Sequence, residues 1–282
     1  MCRFTFYQGE PIRLSALVTE PEHSLINQSF DSREGEEPLN GDGFGVVWYV
    51  PELTSAPGRF RGVSPAWNNA NLHEIARVVT SGCVMAHVRA ATQQLAVSEL
   101  NCHPFVVDRW SFMHNGDIGG FGRIRRALLA QLSDARFDAI RGSTDSEHFF
   151  ALLLDELDAE GQAPDVEAIG RAFQRGLERI RRLMFSGAPG EHLYINAVLT
   201  NGSDAVACRY TTDDPAEGSS LHLNQGQRYV CEDGVCRMVD PVQSGSVIVS
   251  SEPLSADPGW TAFAANSMVL LAGTRGVRTV AL

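Results

Sequence analysis

The chain contains no lysine: all 23 of its basic residues are arginine. No ε-amine is available for a Schiff base or for the phosphate-gripping position of a Walker loop. Lysine-dependent cofactor chemistry and P-loop nucleotide hydrolysis are therefore excluded. No apolar run approaches the length of a bilayer span. The first residues lack the basic stretch and long apolar segment of a secretory signal, so a cytoplasmic location is expected. An excess of positive charge is also missing. The formal net charge is -11, whereas a general nucleic-acid binder needs a basic face to neutralise phosphates. The cluster Arg123, Arg125 and Arg126 falls in a helix-like stretch and reads as a solvated face.

Zinc-site spacing is absent too. The six cysteines are Cys2, Cys83, Cys102, Cys208, Cys231 and Cys236. Cys231 and Cys236 are close, but no second ligand pair accompanies them, so neither a metal nor a cofactor is expected. The chain is long and shows no tight disulfide framework, so its thiols are expected to be reduced. No Pro/Gly/Ser-rich linker, repeat or low-complexity segment divides it. Residues 1–282 are read as one domain with ample core.

What is there is a set of short strands around a helical middle. CRFTFYQ alternates and is rich in aromatics, which predicts a strand that fixes the terminus inside a sheet. EPIRLSALVTEPEHSLINQSF reads as a short helix and loop between prolines, and DSREGEEPLNGDG as a surface loop. FGVVWYV, SGCVMAHVRAA and WSFMHNGDIGG read as strands, the last running into a glycine turn. FGRIRRALLAQL, STDSEHFFALLLDEL and VEAIGRAFQRGLERIRRLM have helical spacing. YINAVLTNGSDAVACRYT predicts a hairpin turning at Asn201-Gly202. RYVCE and SVIVSS supply further strands. Strands, then helices, then strands favour an α+β protein with antiparallel sheets over a regularly alternating βαβ fold.

Candidate chemistry sits where strands end or helices start. In AHVRAAT, Arg89 at the end of a buried strand either grips a substrate carboxylate bidentately or makes a structural ion pair. NCHPF reads first as a turn before Pro104, with His103 packed. In MHNGDI, Asn115 and the unhindered N–H of Gly116 are two donors that could form an oxyanion hole. In GSTDSEHFF, Thr144 and Glu147 have capping-box spacing, and Asp145 in the first turn is favoured by the helix dipole. That carboxylate could also take a substrate ammonium. Cys2 is either incidental or, once Met1 is removed, a thiol nucleophile with its own α-amine as base. The amine titrates near pH ~8 and a free thiol near ~8.5, so proton transfer between them costs little. Together these are the parts needed to cleave a γ-glutamyl amide.

Cys2, AHVRAAT, NCHPF, MHNGDI and STDSE resemble the ordered motifs of the class II glutamine amidotransferases, the N-terminal-nucleophile type. MCRF, HSLINQSFDSR, NGDGFGV, PAWNNANL and SEPL resemble its stand-alone branch, which includes the amidotransferase subunit of the fungal glutathione-degradation complex and the γ-glutamyl hydrolase of ergothioneine biosynthesis. The resemblance runs from Cys2 to Glu252. It implies a four-layer αββα sandwich with two antiparallel sheets. It implies Cys2 as nucleophile, Asn115 and Gly116 as oxyanion hole, Arg89 on the α-carboxylate and Asp145 on the α-ammonium. His103 and Thr92 would line the glutamate pocket. Several synthase-linked members carry an aromatic residue where this chain has Ala90. Glu252 in SEPL is left as a substrate contact or a surface turn. The implied substrate is glutamine or a γ-glutamyl compound such as glutathione. A peptidase-like or synthase partner subunit and a homo-oligomer stay open, and no nucleic acid or membrane is expected. The alternative readings are a non-catalytic γ-glutamyl sensor or partner subunit, and an unrelated thiol peptidase that would leave Arg89 and Asp145 unexplained.

Overall fold

The computed structural model describes residues 2–34, 39–90, 97–214, 219–232, 235–240, 245–274 and 276–282. The first half holds β1 (Arg3–Arg13), α1 (Ser15–Val18), α2 (Leu25–Gln28), β2 (Phe44–Trp48), β3 (Gly58–Gly62), α3 (Ala70–Val78), β4 (Thr80–Val88), β5 (Phe105–Val107) and β6 (Trp110–Ile118). The helices α4 (Phe121–Leu129), α5 (Asp134–Ala139), α6 (Asp145–Asp158) and α7 (Val166–Gly187) follow. The chain ends in β7 (Leu193–Thr200), β8 (Asp204–Thr211), β9 (His222–Gln225), β10 (Arg228–Glu232), β11 (Val235–Val239), β12 (Val247–Ser250), β13 (Thr261–Ala262), β14 (Ser267–Ala272) and β15 (Gly276–Ala281).

These strands form two larger sheets, of order β13-β9-β12-β1-β4-β2-β3 and β15-β14-β8-β7-β6-β5, plus the β10-β11 hairpin. All described pairings within the two larger sheets are antiparallel. Three separate cores mark three layer interfaces. Phe149, Leu153, Phe173 and Ile180 of α6 and α7 pack on Phe112, Ile195 and Leu199 of the six-stranded sheet. Leu17, Leu25 and Leu72 of α1 to α3 pack on Tyr7, Val84 and Ile248 of the seven-stranded sheet. Phe4, Phe6, Met85, Met113, Val198 and Val249 fill the space between the sheets. This is the αββα sandwich that the resemblance implied, and the antiparallel α+β architecture that the element order favoured.

Strand alternation decides which side chains share a layer, because successive residues point to opposite faces. Phe4 and Phe6 lie between the sheets, so Cys2 falls on that face and Arg3 on the helical face. Met85 lies between the sheets, and so does His87 two residues on. Met113 lies between the sheets, and Asn115 follows it. One end of the inter-sheet layer thus collects Cys2, His87 and Asn115 from three strands.

The predicted hairpin turns between β7 and β8 as expected, with Asn201 Oδ1 accepting from the N–H groups of Ser203 and Asp204. The expectation that all thiols are reduced is corrected at one pair. Cys231 and Cys236 face each other across β10 and β11 and form a disulfide, with Cα atoms 4.0 Å apart. Cross-strand register brought them together, which their spacing alone did not reveal. Cys2, Cys83, Cys102 and Cys208 are free thiols. No helix among the described residues is long and apolar enough to cross a membrane.

Candidate active site

Cys2 is half-buried at the start of β1, and its thiol donates to the Ala90 carbonyl oxygen at 3.5 Å. Burial pushes the thiol up from its ordinary value, opposed by that contact and by the positive charges of the amino terminus, Arg89 and Arg3. Arg89 follows β4. Its backbone is held at both ends, Arg89 N–H donating to Gly43 O at 2.8 Å and Arg89 O accepting from Asp42 N–H at 3.0 Å. Its guanidinium is buried at 3% exposure, and Nη1 has no hydrogen-bond partner. A buried cation with an idle donor is costly unless something anionic meets it. Of the two readings of Arg89, no structural ion pair is formed among the described residues.

Asn115 repeats the pattern. It is 2% exposed, and its Nδ2 has no partner. Gly116 beside it admits no side chain: a Cβ would lie 1.9 Å from Tyr194 O and 2.5 Å from His114 Nε2. Glycine is therefore dictated by the close approach of β7.

His103 is packed, as the turn reading of NCHPF expected, and it stands beside the other groups. Its ring stacks on His87 with centroids 4.4 Å apart, and Phe105 meets it edge to face at 4.6 Å. Gly45 lets this segment rest on β2, since a Cβ there would meet His103 O at 2.1 Å. His87 Nε2–H donates to His114 O at 3.2 Å, which ties the two sheets together. Neither ring nitrogen of His103, nor Nδ1 of His87, has a partner. Burial, with the neighbouring positive groups, lowers His87 to about 3 and holds His103 well below the usual histidine range. Both imidazoles are neutral at physiological pH. Cys102 adjoins them with its thiol raised by burial, and Arg89, Arg61, Glu99 and Cys2 all contribute to its field.

Asp145 opens α6 and fastens it to β6. One carboxylate oxygen accepts from Ile118 N–H at 2.9 Å, the other from Ser146 N–H at 2.7 Å and Ser146 Oγ at 3.1 Å. Ser146 Oγ lies 2.9 Å from His114 Nδ1, and His114 Nε2 donates to Tyr194 O at 3.0 Å. The expected capping box forms by half. Thr144 Oγ1 accepts from Glu147 N–H, but the Glu147 carboxylate turns to the N–H groups of Arg141 and Gly142. Thr92 lies outside the described residues.

Glu252 is no surface turn. It is 1% exposed and accepts from Arg3 Nε at 2.9 Å, Ser32 Oγ at 2.7 Å, Arg33 N–H at 3.0 Å and Glu34 N–H at 3.2 Å. Of these, Arg33 N–H is on Oε2 and the rest are on Oε1, and His23 Nε2 lies 2.6 Å from Oε2. Burial alone would raise this carboxyl, but these hydrogen bonds outweigh it and hold it well below the usual carboxylate range. Among the described residues a further group of ligand types, Glu20, Cys231 and Cys236, draws together, but its two sulfurs are bonded to each other.

A family profile described as "Glutamine amidotransferases class-II" matches residues 15–280. The probable glutamine amidotransferase DUG3 of Saccharomyces cerevisiae is 42% identical over 292 residues, covering 96% of this chain and 82% of that one. The gamma-glutamyl-hercynylcysteine sulfoxide hydrolase of Mycobacterium tuberculosis is 26% identical over 261 residues, 92% of this chain and 88% of that one. A glutamine aminotransferase class-II domain protein from Silicibacter pomeroyi superposes with a TM-score of 0.69 at 27% identity, over 100% of this chain and 98% of that one. The glutamine phosphoribosylpyrophosphate amidotransferase of Bacillus subtilis gives a TM-score of 0.60 over 99% of this chain and 49% of that one. At 14% identity that likeness speaks for the fold alone. The sandwich, its motifs and these relatives agree: the chain belongs to the class II glutamine amidotransferases.

Proposed function

We propose that the chain, as one catalytic unit, hydrolyses a γ-glutamyl amide bond through a thioester on Cys2, after removal of Met1. The observation that carries this reading is the set of idle buried groups beside Cys2: Arg89 Nη1 and Asn115 Nδ2 are desolvated without partners. A γ-glutamyl group has what they lack. Its α-carboxylate meets Arg89, and its γ-carbonyl oxygen, once anionic, meets Asn115 Nδ2 and Gly116 N–H. Asp145 faces the α-ammonium with the lone pairs that its three backbone and serine donors leave over. His103 lines the glutamate pocket.

The Cys2 thiol passes its proton to its own α-amine, and the thiolate attacks the γ-carbon. The oxyanion collapses as the ammonium protonates the departing nitrogen, and the C–N bond breaks. Water then attacks the thioester, the S–C bond breaks, and glutamate leaves with the thiolate restored. The amino-acid half of the substrate is the common part, so the substrate class is glutamine or a γ-glutamyl compound such as glutathione. The yeast and mycobacterial relatives, named for a glutamine amidotransferase and for a γ-glutamyl hydrolase, fit that class. A peptidase-like or synthase subunit would supply the next reaction on the released half.

Intact-mass spectra before and after diazo-oxo-norleucine test the reading. Loss of Met1 and one adduct on Cys2, abolished by Cys2→Ala, is the expected result. A retained Met1 with no adduct overturns catalysis and leaves the pocket as a γ-glutamyl sensor.

A further inference from the structure

We infer that Glu252 is the positioning residue of the N-terminal nucleophile, acting through Arg3 and the 32–34 segment. The inference rests on the reading of Cys2 given above.

A chain terminus tends to fray, yet a nucleophile must be held closely: a misplacement of about 1 Å costs on the order of 100-fold in rate. Strand pairing of β1 with β4 and β12 reaches only as far as Arg3 and Thr5. Cys2 lies beyond it. What continues the hold is the Arg3 guanidinium. Its Nη1 donates to the Cys2 carbonyl oxygen at 2.8 Å, its Nη2 to Ser32 Oγ at 2.6 Å, and its Nε to Glu252 at 2.9 Å. One planar fork thus connects the nucleophile's own backbone to Glu252.

Glu252 is itself fixed through its neighbour Ser251, which pairs with β1, and through Gln28 of α2. Phe4 N–H donates to Ser251 Oγ and Ser251 N–H to Phe4 O, both at 3.0 Å, and Gln28 Nε2 donates to Glu252 O at 3.4 Å. The same carboxylate gathers Ser32 and the N–H groups of Arg33 and Glu34, while the Glu34 carboxylate meets His222 Nε2 at 2.8 Å. One buried side chain therefore sets both the start of β1 and the segment that passes beside it. No atom of Glu252 is left for substrate, because its two oxygens already meet five donors. It positions and does not react.

The test is the rate of Cys2 labelling by diazo-oxo-norleucine in full-length Glu252→Gln and Arg3→Gln, followed by mass at a temperature where thermal unfolding shows each variant folded. The maximal labelling rate is expected to fall roughly 10- to 100-fold, with the half-saturating concentration within about 3-fold, since the glutamate-binding groups lie on the other face of β1. The double variant is expected to be no slower than the slower single, as for groups acting in one chain of contacts. Should Glu252→Gln not fold, Arg3→Gln alone carries the same test, because it cuts the link to Cys2. A maximal rate within about 2-fold of wild type in folded variants overturns the inference and leaves Glu252 a packing residue. Failure of the wild type to label at Cys2 overturns instead the reading of the nucleophile.

Discussion

Two buried polar clusters flank the first residues of β1, and they differ in one respect. On the helical face, Glu252, Arg3, His23 and Ser32 satisfy one another. On the inter-sheet face, five atoms of Arg89, Asn115, His87 and His103 have no partner. Arg3, His23 and Glu252 are as deeply buried as Arg89, Asn115, His87 and His103, so burial does not explain the contrast. A buried polar group without a partner costs on the order of 1–3 kcal/mol. A fold that closes the bonds of Glu252, Arg3, His23 and Ser32 on one face had the means to close those of the other. The saturated cluster is complete in itself, and the unsaturated one, on the function proposed above, receives a polar ligand that arrives from outside.

The sharpest way to break this comparison is to open the saturated side. Glu252→Ala takes the carboxylate partner away from the buried Arg3, and it frees two backbone N–H groups. Removing one member of a buried ion pair costs about 3–5 kcal/mol, so urea unfolding should show a loss of that size with an unchanged m-value. A loss below about 1 kcal/mol, the range of exposed ion pairs, would mean that the cluster relaxes into water and is no framework.

The opposite result is expected from the unsaturated side. Asn115→Ala removes a donor that holds nothing in the unliganded fold, so stability should stay within about 0.5 kcal/mol of wild type or rise. Turnover should still fall about 100- to 1,000-fold, the usual effect of losing one oxyanion-hole donor. Steady-state kinetics and urea unfolding on the same preparation check both halves. A variant that loses stability in proportion to activity would place Asn115 with the framework.

The unsaturated cluster was legible in the sequence and the saturated one was not, for a physical reason. Cys2, Arg89, Asn115 and Asp145 each sit in a short strand or helix signature, and strand alternation carries Cys2, His87 and Asn115 to one face. Their convergence needs only that the strands lie in facing sheets. Glu252 finds its partners 249, 229 and 220 residues away. No periodicity reports a contact of that range, so SEPL looked equally like a turn. The Glu147 carboxylate was misassigned on smaller grounds. Its capping-box partner was local, but the N–H groups of Arg141 and Gly142, in the turn before the helix, competed for it. The Cys231–Cys236 bond needed cross-strand register, which a five-residue spacing allows without requiring.

The two clusters should also separate along the pH axis. His87 has a folded value lowered from 6.5 to about 3 by burial. Below pH 6.5 the unfolded chain takes up a proton that the folded chain refuses, so this group's contribution is fully present above 6.5 and is lost as pH falls toward 3. The slope is about 1.4 kcal/mol per pH unit for one such group. Glu252 has a folded value held below its ordinary 4.5. Its contribution is fully present above 4.5 and is lost only as pH falls below that. The interval from 6.5 to 4.5 therefore carries the contributions of His87 and His103, together with that of His148, which burial also lowers, and the acid side of 4.5 adds Glu252. In His87→Gln, unfolding free energy measured across pH 6.5 to 4.5 should fall less steeply than in wild type by about 1.4 kcal/mol per unit. Glu252→Gln should follow the wild-type slope in that interval and flatten only below it. Equal slopes for wild type and His87→Gln would mean that His87 is protonated in the folded protein. An imidazolium there would need an anion within reach, and the cluster would then be neither unsaturated nor open to a substrate carboxylate at Arg89.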